Sequence, residues 1–168
     1  EHAATRYWCD GNGTETSPYI IDGLSINGQN SSEGVHIETS SVYYRVQNCQ
    51  IFNSSGSGVY GYGIRLLGAH NGIIINNSIM DNGYEGYNGV YGISIFFSDN
   101  LTIQNNFIFN NSFYGLSIQS SDNIDVLNNI ISENHNFGLH LSSCNYINVT
   151  GNRIENQTKA DGMYMINA

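Results

Sequence analysis

The sequence predicts an all-β, single-domain, right-handed parallel β-helix, and three observations predict it. A glycine followed by an apolar-x-apolar triplet recurs at Gly34, Gly63, Gly92, Gly115, Gly138 and Gly162, with spacings of 29, 29, 23, 23 and 24 residues. Further apolar columns keep a fixed offset from each glycine. An Asn pair recurs between the last two of those columns. A period of this size is the mark of a stacked repeat, in which no unit buries its apolar face alone and each must pack on its neighbours.

The elements follow in chain order. Residues 1–17 are expected to form an N-terminal cap and residues 18–168 the β-helix. The segment "PYIIDGLSING" fits the repeat frame with Ile21, Gly23 and Ile26. Each frame glycine then opens a strand: Val35/Ile37, Ile64/Leu66, Ile93/Ile95, Leu116/Ile118, Leu139/Leu141 and Met163/Met165. The alternation implies one buried and one exposed face. A second strand is expected at Val46, Ile74, Ile103, Val126 and Val149, and a third at Ile51, Ile79, Ile108, Ile131 and Ile154. Between them, Asn76, Asn105, Asn128 and Gly151 share a position that accepts Asn or Gly, which is the preference of a left-handed turn residue. The following Asn77, Asn106, Asn129 and Asn152 are placed to form an amide ladder along the stack. The two long spacings enlarge two coils, with "SSGSGVYG" and "NGYEGYNGV" inserted at the same corner.

Composition narrows the function. Fourteen acidic residues against five Lys plus Arg give a formal charge of −9, the opposite of what phosphate neutralisation needs. Nucleic acid and anionic membranes are therefore excluded as partners. No apolar run approaches the roughly 18 residues of a membrane span, so no membrane insertion is expected. The opening "EHAATRYWCD" is not a signal peptide, so the chain reads as mature or as excised from something longer.

The stretch "PYIIDGLSINGQNSSEGVHIETSSVYYRVQNCQIFN", with "GNGT" before it and G-I-x-I…N-x-x-I-x-N-N-x-I repeats after it, resembles the NosD-like parallel β-helix family across nearly the whole chain. The resemblance implies the fold and an exported, extracellular or cell-surface location. It implies little about activity, because the family spans copper-maturation factors, carbohydrate-active enzymes and surface proteins.

Copper chemistry would need converging soft ligands. His2, His36, His70, His135, His140, the three Met and the three Cys are scattered through the frame, so no metal and no cofactor is expected. A carbohydrate-cleaving β-helix needs paired carboxylates. The column Ser41, His70, Asp99, Asp122, Asn145 places Asp99 and Asp122 about 5 Å apart, one coil step, with His70 beside them. The competing reading is that "SDN", "SDN" and "SCN" are turns in which the side chain bonds backbone, and it is the favoured one, leaving Asp99, Asp122 and His70 as minority catalytic candidates. Cys144 shares a small-residue column with Ser40, Ala69, Ser98 and Ser121. Cys49 replaces the first ladder Asn, and a Cys9–Cys49 disulfide is an open alternative in an oxidising compartment.

Three surface features remain. Tyr62, Tyr91, Tyr114 and Phe137 precede successive frame glycines and form an aromatic column. With the loop residues Tyr84 and Tyr87 they could contact a saccharide or another subunit, although a ring column also simply packs on itself. Eight N-x-S/T sequons, at Asn12, Asn30, Asn53, Asn76, Asn100, Asn110, Asn148 and Asn156, point to N-glycosylation, since those within the coils avoid the apolar columns and the ladder. Finally, Trp8 sits near the cap, whereas Met163 and Met165 end the stack with nothing after them to cover it, which suggests end-to-end stacking. The reading is an extracellular, N-glycosylated structural subunit, not an enzyme, that polymerises with itself into a filament, sheath or surface layer. The alternative is a carbohydrate-binding or carbohydrate-cleaving module using the aromatic corner and the Asp99/Asp122 column, with a polysaccharide as partner.

Overall fold

The computed structural model describes residues 9–30, 33–55, 61–83 and 89–167. They form a parallel β-helix with three sheets wound around one core. Sheet I contains the strands that follow the frame glycines: Glu33–Ser40, Gly61–Ala69, Val90–Phe96, Leu116–Gln119, Leu139–Ser142 and Met163–Ile166. Sheet II stacks Tyr19–Asp22, Tyr44–Gln47, Gly72–Ile75, Leu101–Gln104, Ile124–Leu127 and Ile147–Thr150. Sheet III stacks Ser25–Asn27, Gln50–Phe52, Ser78–Met80, Phe107–Phe109, Ile130–Ser132 and Arg153–Glu155. Parallel neighbours need a long crossover, and here the other two strands of each coil supply it.

Register follows the sequence columns. Val46 pairs with Ile74, Ile74 with Ile103, Ile103 with Val126, and Val126 with Val149. Ile26, Ile51, Ile79, Ile108, Ile131 and Ile154 do the same in sheet III. Ile64, Leu66, Ile74, Ile79, Ile93, Ile95, Ile103, Ile108, Leu116 and Ile118 lose all contact with solvent. Each such side chain contributes roughly 1.5–3 kcal/mol through burial. Frame glycines let the coils close: a Cβ on Gly92 would lie 2.6 Å from Gly115 O, 2.7 Å from Ile108 Cγ2 and 2.8 Å from Asn111 Nδ2.

The corners carry the polar order. Gly23, Asn48, Asn76, Asn105, Asn128 and Gly151 all hold the left-handed conformation. The next residues form the amide ladder, with Nδ2 of Asn77, Asn106 and Asn129 donating to Oδ1 of the following Asn at 3.0, 3.0 and 2.9 Å. A second, unforeseen ladder runs up the corner between sheets III and I. Asn82 and Asn111 donate Nδ2 to Oδ1 of Asn111 and Asn134 at 2.9 Å each, and Gln157 Oε1 accepts Asn134 N–H at 3.0 Å. The small-residue column is a third ladder, in which Ser98 Oγ accepts Ala69 N–H and Ser121 Oγ accepts Ser98 N–H, both at 2.9 Å.

At the N-terminal end, Cys9–Asp10 runs antiparallel on Tyr19–Asp22 and closes that edge of sheet II. The Cys9–Cys49 disulfide is not formed: Cys9, Cys49 and Cys144 are buried free thiols. Cys9 pairs with Ile21 from outside, and Ile21 pairs with Val46 of the coil that carries Cys49. Cys49 lies at the corner three residues beyond Val46, so two strand spacings and an offset along the strand separate the two cysteines, more than a disulfide spans.

Candidate functional site on the outer face of sheet I

Alternation along the sheet I strands presents three columns outward. One is Glu33, Tyr62 and Tyr91, in register, continued by Tyr114 and Phe137. The second is His36, Arg65, Ser94, Ser117, His140 and Tyr164. The third is Glu38, Leu67, Phe96, Gln119, Ser142 and Ile166.

The aromatic column is a ladder of ring contacts, stacked at Tyr62–Tyr91, edge-on at Tyr91–Tyr114 and tilted at Tyr114–Phe137. Ring centroids lie 5.4 Å apart for Tyr62–Tyr91, 5.3 Å for Tyr91–Tyr114 and 5.5 Å for Tyr114–Phe137. Sequence reasoning missed its remaining members. Phe113 stacks on Tyr114 at 4.0 Å, Tyr164 stacks on Phe137 at 4.7 Å, and His140 lies between Tyr114 and Tyr164 at 4.8 and 5.8 Å. Phe113 adjoins a ladder residue and could have been found from that adjacency. Tyr164 and His140 belong to a column of mixed residue types that leaves no repeat signal.

Charge gathers at one end of the ladder. Arg65 Nη1 meets Glu33 Oε1 at 3.3 Å, and the guanidinium lies 4.9 Å from the centre of the Tyr62 ring, a cation–π placement. His36 Nε2 lies 3.8 Å from Glu38 Oε2. In the middle, Gln119 Nε2 donates to Ser117 Oγ at 3.0 Å, and Ser117 Oγ stands 3.1 Å from His140 Nδ1. Burial pushes the His140 imidazole below its ordinary pKa, which favours the neutral ring and lets Ser117 donate to Nδ1. Burial, with Tyr164 adding to it, raises the Tyr114 phenol.

The other sequence candidates fall elsewhere. Asp99 and Asp122 lie past the far end of the sheet I strands, across the sheet from the aromatic column, so the two halves of the expected saccharide site do not converge. Their side chains bond backbone: Asp99 Oδ1 accepts Asp122 N–H, Asp122 Oδ1 accepts Asn145 N–H, and His70 Nδ1 accepts Asp99 N–H, at 2.8, 2.8 and 3.0 Å. Asn30, Asn53, Asn76, Asn100, Asn110 and Asn156 all adopt positive φ, so corner geometry accounts for the abundance of Asn at these sequons. Asn12 and Asn148 differ, because Oγ1 of the sequon threonine donates to each Asn Oδ1, at 2.8 and 2.7 Å. Met163 and Met165 are 42% and 50% exposed. They lie on the outermost strand of sheet I, and nothing among the described residues shows what covers it. Trp8, Tyr84 and Tyr87 lie outside the described residues. Among the described residues, no group of three or more His, Cys, Asp or Glu is placed to hold a metal ion, and no helix is long and apolar enough to cross a membrane.

Stacked parallel coils with asparagine-laddered corners and a side-chain-lined outer sheet define the β-helix class. The chain belongs to the right-handed β-helix family, whose profile, described as "Right handed beta helix region", matches residues 9–167. That match supports the β-helix superfamily at large; it does not reach the narrower NosD-like type. No curated protein matches. Among solved structures, the periplasmic alginate epimerase AlgG is similar at 16% identity and a TM-score of 0.61, over 88% of this chain and 39% of that one. The enzymatically active domain of bacteriophage CBA120 tailspike protein 2 is similar at 21% identity and a TM-score of 0.53, over 81% of this chain and 19% of that one. The chain thus spans well under half of either neighbour, and at these identities the likeness is one of fold. Both neighbours use the fold in an enzyme, and this overturns the expectation of a chain that is not an enzyme.

Proposed function

We propose that this chain is a polysaccharide-active β-helix that holds an extended glycan along the outer face of sheet I. The observation that carries the reading is the ring ladder from Tyr62 to Tyr164, parallel to the solenoid axis and bordered by Arg65, Glu33, Ser117, Gln119 and His140. The rings present an apolar strip with phenol hydroxyls along the coil axis, against which sugar C–H groups can pack, and the adjoining polar groups fix orientation. Coils repeat every ~4.8 Å, a step comparable to one hexose in an extended chain. Glu33, held by Arg65, is the carboxylate at the ladder's end and is placed to accept a hydrogen bond from a sugar hydroxyl there. Two similar folds named as an alginate epimerase and an enzymatically active tailspike domain favour this reading over a filament subunit. AlgG is described as periplasmic, in keeping with an exported setting for this chain too.

Affinity electrophoresis through gels containing a panel of polysaccharides tests the proposal. At least one glycan is expected to retard the wild-type chain and to leave a Tyr91→Ala/Tyr114→Ala variant unretarded. Equal retardation of both, or of neither by every glycan, would overturn it.

A further inference from the structure

Three adjacent coils of sheet I place a hydrogen-bond relay beneath the ring ladder. Ser117, His140 and Tyr164 stand at matching positions of successive strands and face outward together, since alternate residues of a strand point to one side. Coil stacking then lays a ring over each face of the imidazole. Tyr114, one coil before His140, lies at 4.8 Å and 24°, and Tyr164, one coil after it, at 5.8 Å and 5°. Only the edge of the imidazole is left open, and His140 keeps 9% of its surface exposed.

The two nitrogens on that edge have different surroundings. Gln119 Nε2 donates to Ser117 Oγ at 3.0 Å. Ser117 is fully buried, so its hydroxyl meets no ligand; its oxygen accepts the glutamine proton, and its own proton goes to His140 Nδ1, 3.1 Å away. A neutral imidazole carries one N–H, and an Nδ1 that accepts leaves that proton on Nε2. The relay thus fixes the tautomer. Nε2 sits at the tip of the side chain, farthest from the sheet. It has no partner among the described residues and is not one of the polar atoms shut off from solvent. Its N–H therefore opens outward between Tyr114 and Tyr164. A sugar hydroxyl can donate or accept as its partner requires, whereas a fixed N–H set into a strip of rings demands an acceptor oxygen at one place along the strip.

We propose that His140 is a saccharide-binding residue that donates its Nε2–H to an oxygen of the bound glycan, and that Ser117 and Gln119 are positioning residues that hold it in that tautomer. The proposal rests on the saccharide reading of sheet I and supplies that face with a donor of fixed direction. Imidazole ¹⁵N chemical shifts of His140 in the free chain at pH 8, where an ordinary histidine is neutral, read the tautomer without any ligand. Wild type should show a protonated Nε2 and a bare Nδ1. In Gln119→Glu the carboxylate takes the Ser117 proton, Ser117 Oγ accepts from Nδ1 instead, and the tautomer should reverse. A protonated Nδ1 in wild type, or the same tautomer in both proteins, would overturn the relay. Calorimetric titration with cellohexaose, mannohexaose, xylohexaose and hexagalacturonate then tests the contact. The hexamer that wild type binds most tightly should bind about tenfold more weakly to Ser117→Ala/His140→Phe, which keeps a ring in the stack and strands no buried hydroxyl. Equal affinity in that variant, with binding still lost in Tyr91→Ala/Tyr114→Ala, would overturn the His140 contact and leave the sheet I reading standing. Binding of none of the four hexamers by wild type would overturn both.

Discussion

The backbone N–H of Asp122 donates to Oδ1 of Asp99 at 2.8 Å, one coil apart. The same arrangement repeats from Asn145 to Asp122, where Asn145 adds a bond from Nδ2 at 3.0 Å. This column is a backbone-capping ladder, and an asparagine Oδ1 accepts the same bonds. Asp99→Asn and Asp122→Asn should each change stability by less than about 0.5 kcal/mol. Asp122→Ala, which strands the Asn145 N–H, should cost about 1 kcal/mol. Urea unfolding distinguishes the two outcomes, and a large loss in the Asn variants would reassign the column.

The amide ladder should respond far more strongly. Asn106 is 2% exposed; its Oδ1 accepts both N–H groups offered by Asn77, and its Nδ2 donates to Asn129 Oδ1 and Ile74 O at 3.0 and 2.8 Å. Asn106→Ala leaves several buried groups unpaired and is expected to cost about 3 kcal/mol. Its neighbour Asn105 is exposed and left-handed, so Asn105→Ala should cost only about 1 kcal/mol. Thermal denaturation of the two variants side by side is sufficient.

Close packing at the frame glycines gives a second internal comparison. In Gly92→Ala the new methyl would meet Gly115 O at 2.6 Å, whereas in Gly162→Ala the nearest atom is Ile154 Cγ2 at 3.4 Å. Gly92→Ala should unfold well below wild type, by about 2 kcal/mol or more as overpacking strains the coil. Gly162→Ala should remain close to wild type in the same calorimetric scan.

His140 sets a pH dependence. Its folded-state pKa lies below the ordinary 6.5 because burial disfavours the charged ring. Below that ordinary value the unfolded chain takes up a proton that the folded chain resists, so the unfolded state binds more protons and stability falls with falling pH. The contribution is therefore full above about pH 6.5, declines as pH drops toward the lowered value and is flat below it. Melting temperature measured from pH 8 to 5 should show this decline, and His140→Gln should flatten that part of the profile.

Much of the fold was legible because its determinants are periodic. The glycine, the three apolar columns, the left-handed corner and the Asn77–Asn152 ladder each repeat the same residue type once per coil. The second ladder was legible too, as an amide three residues after each of Ile79, Ile108, Ile131 and Ile154, but it follows the changing residues Asp81, Asn110, Glu133 and Asn156, and Gln157 breaks the identity. Sites obey no such period. His36, Arg65, Ser94, Ser117, His140 and Tyr164 share a column only once the coils are stacked. The separation of Asp99 and Asp122 suited a catalytic pair, while the use of their oxygens on neighbouring backbone N–H groups appears only in three dimensions. The Cys9–Cys49 bridge failed for a related reason: the antiparallel course of Cys9–Asp10 adds a strand spacing that the sequence does not reveal.

The most direct measurement is a crystal structure of the chain with a bound oligosaccharide that binds in the gel assay. The account places the glycan on sheet I with its long axis parallel to the solenoid, about one sugar per coil, lying along Tyr62, Tyr91, Tyr114 and Phe137. A glycan lying across the strands, seated on sheet II or III, or held at the end of the stack by Met163 and Met165 would contradict it.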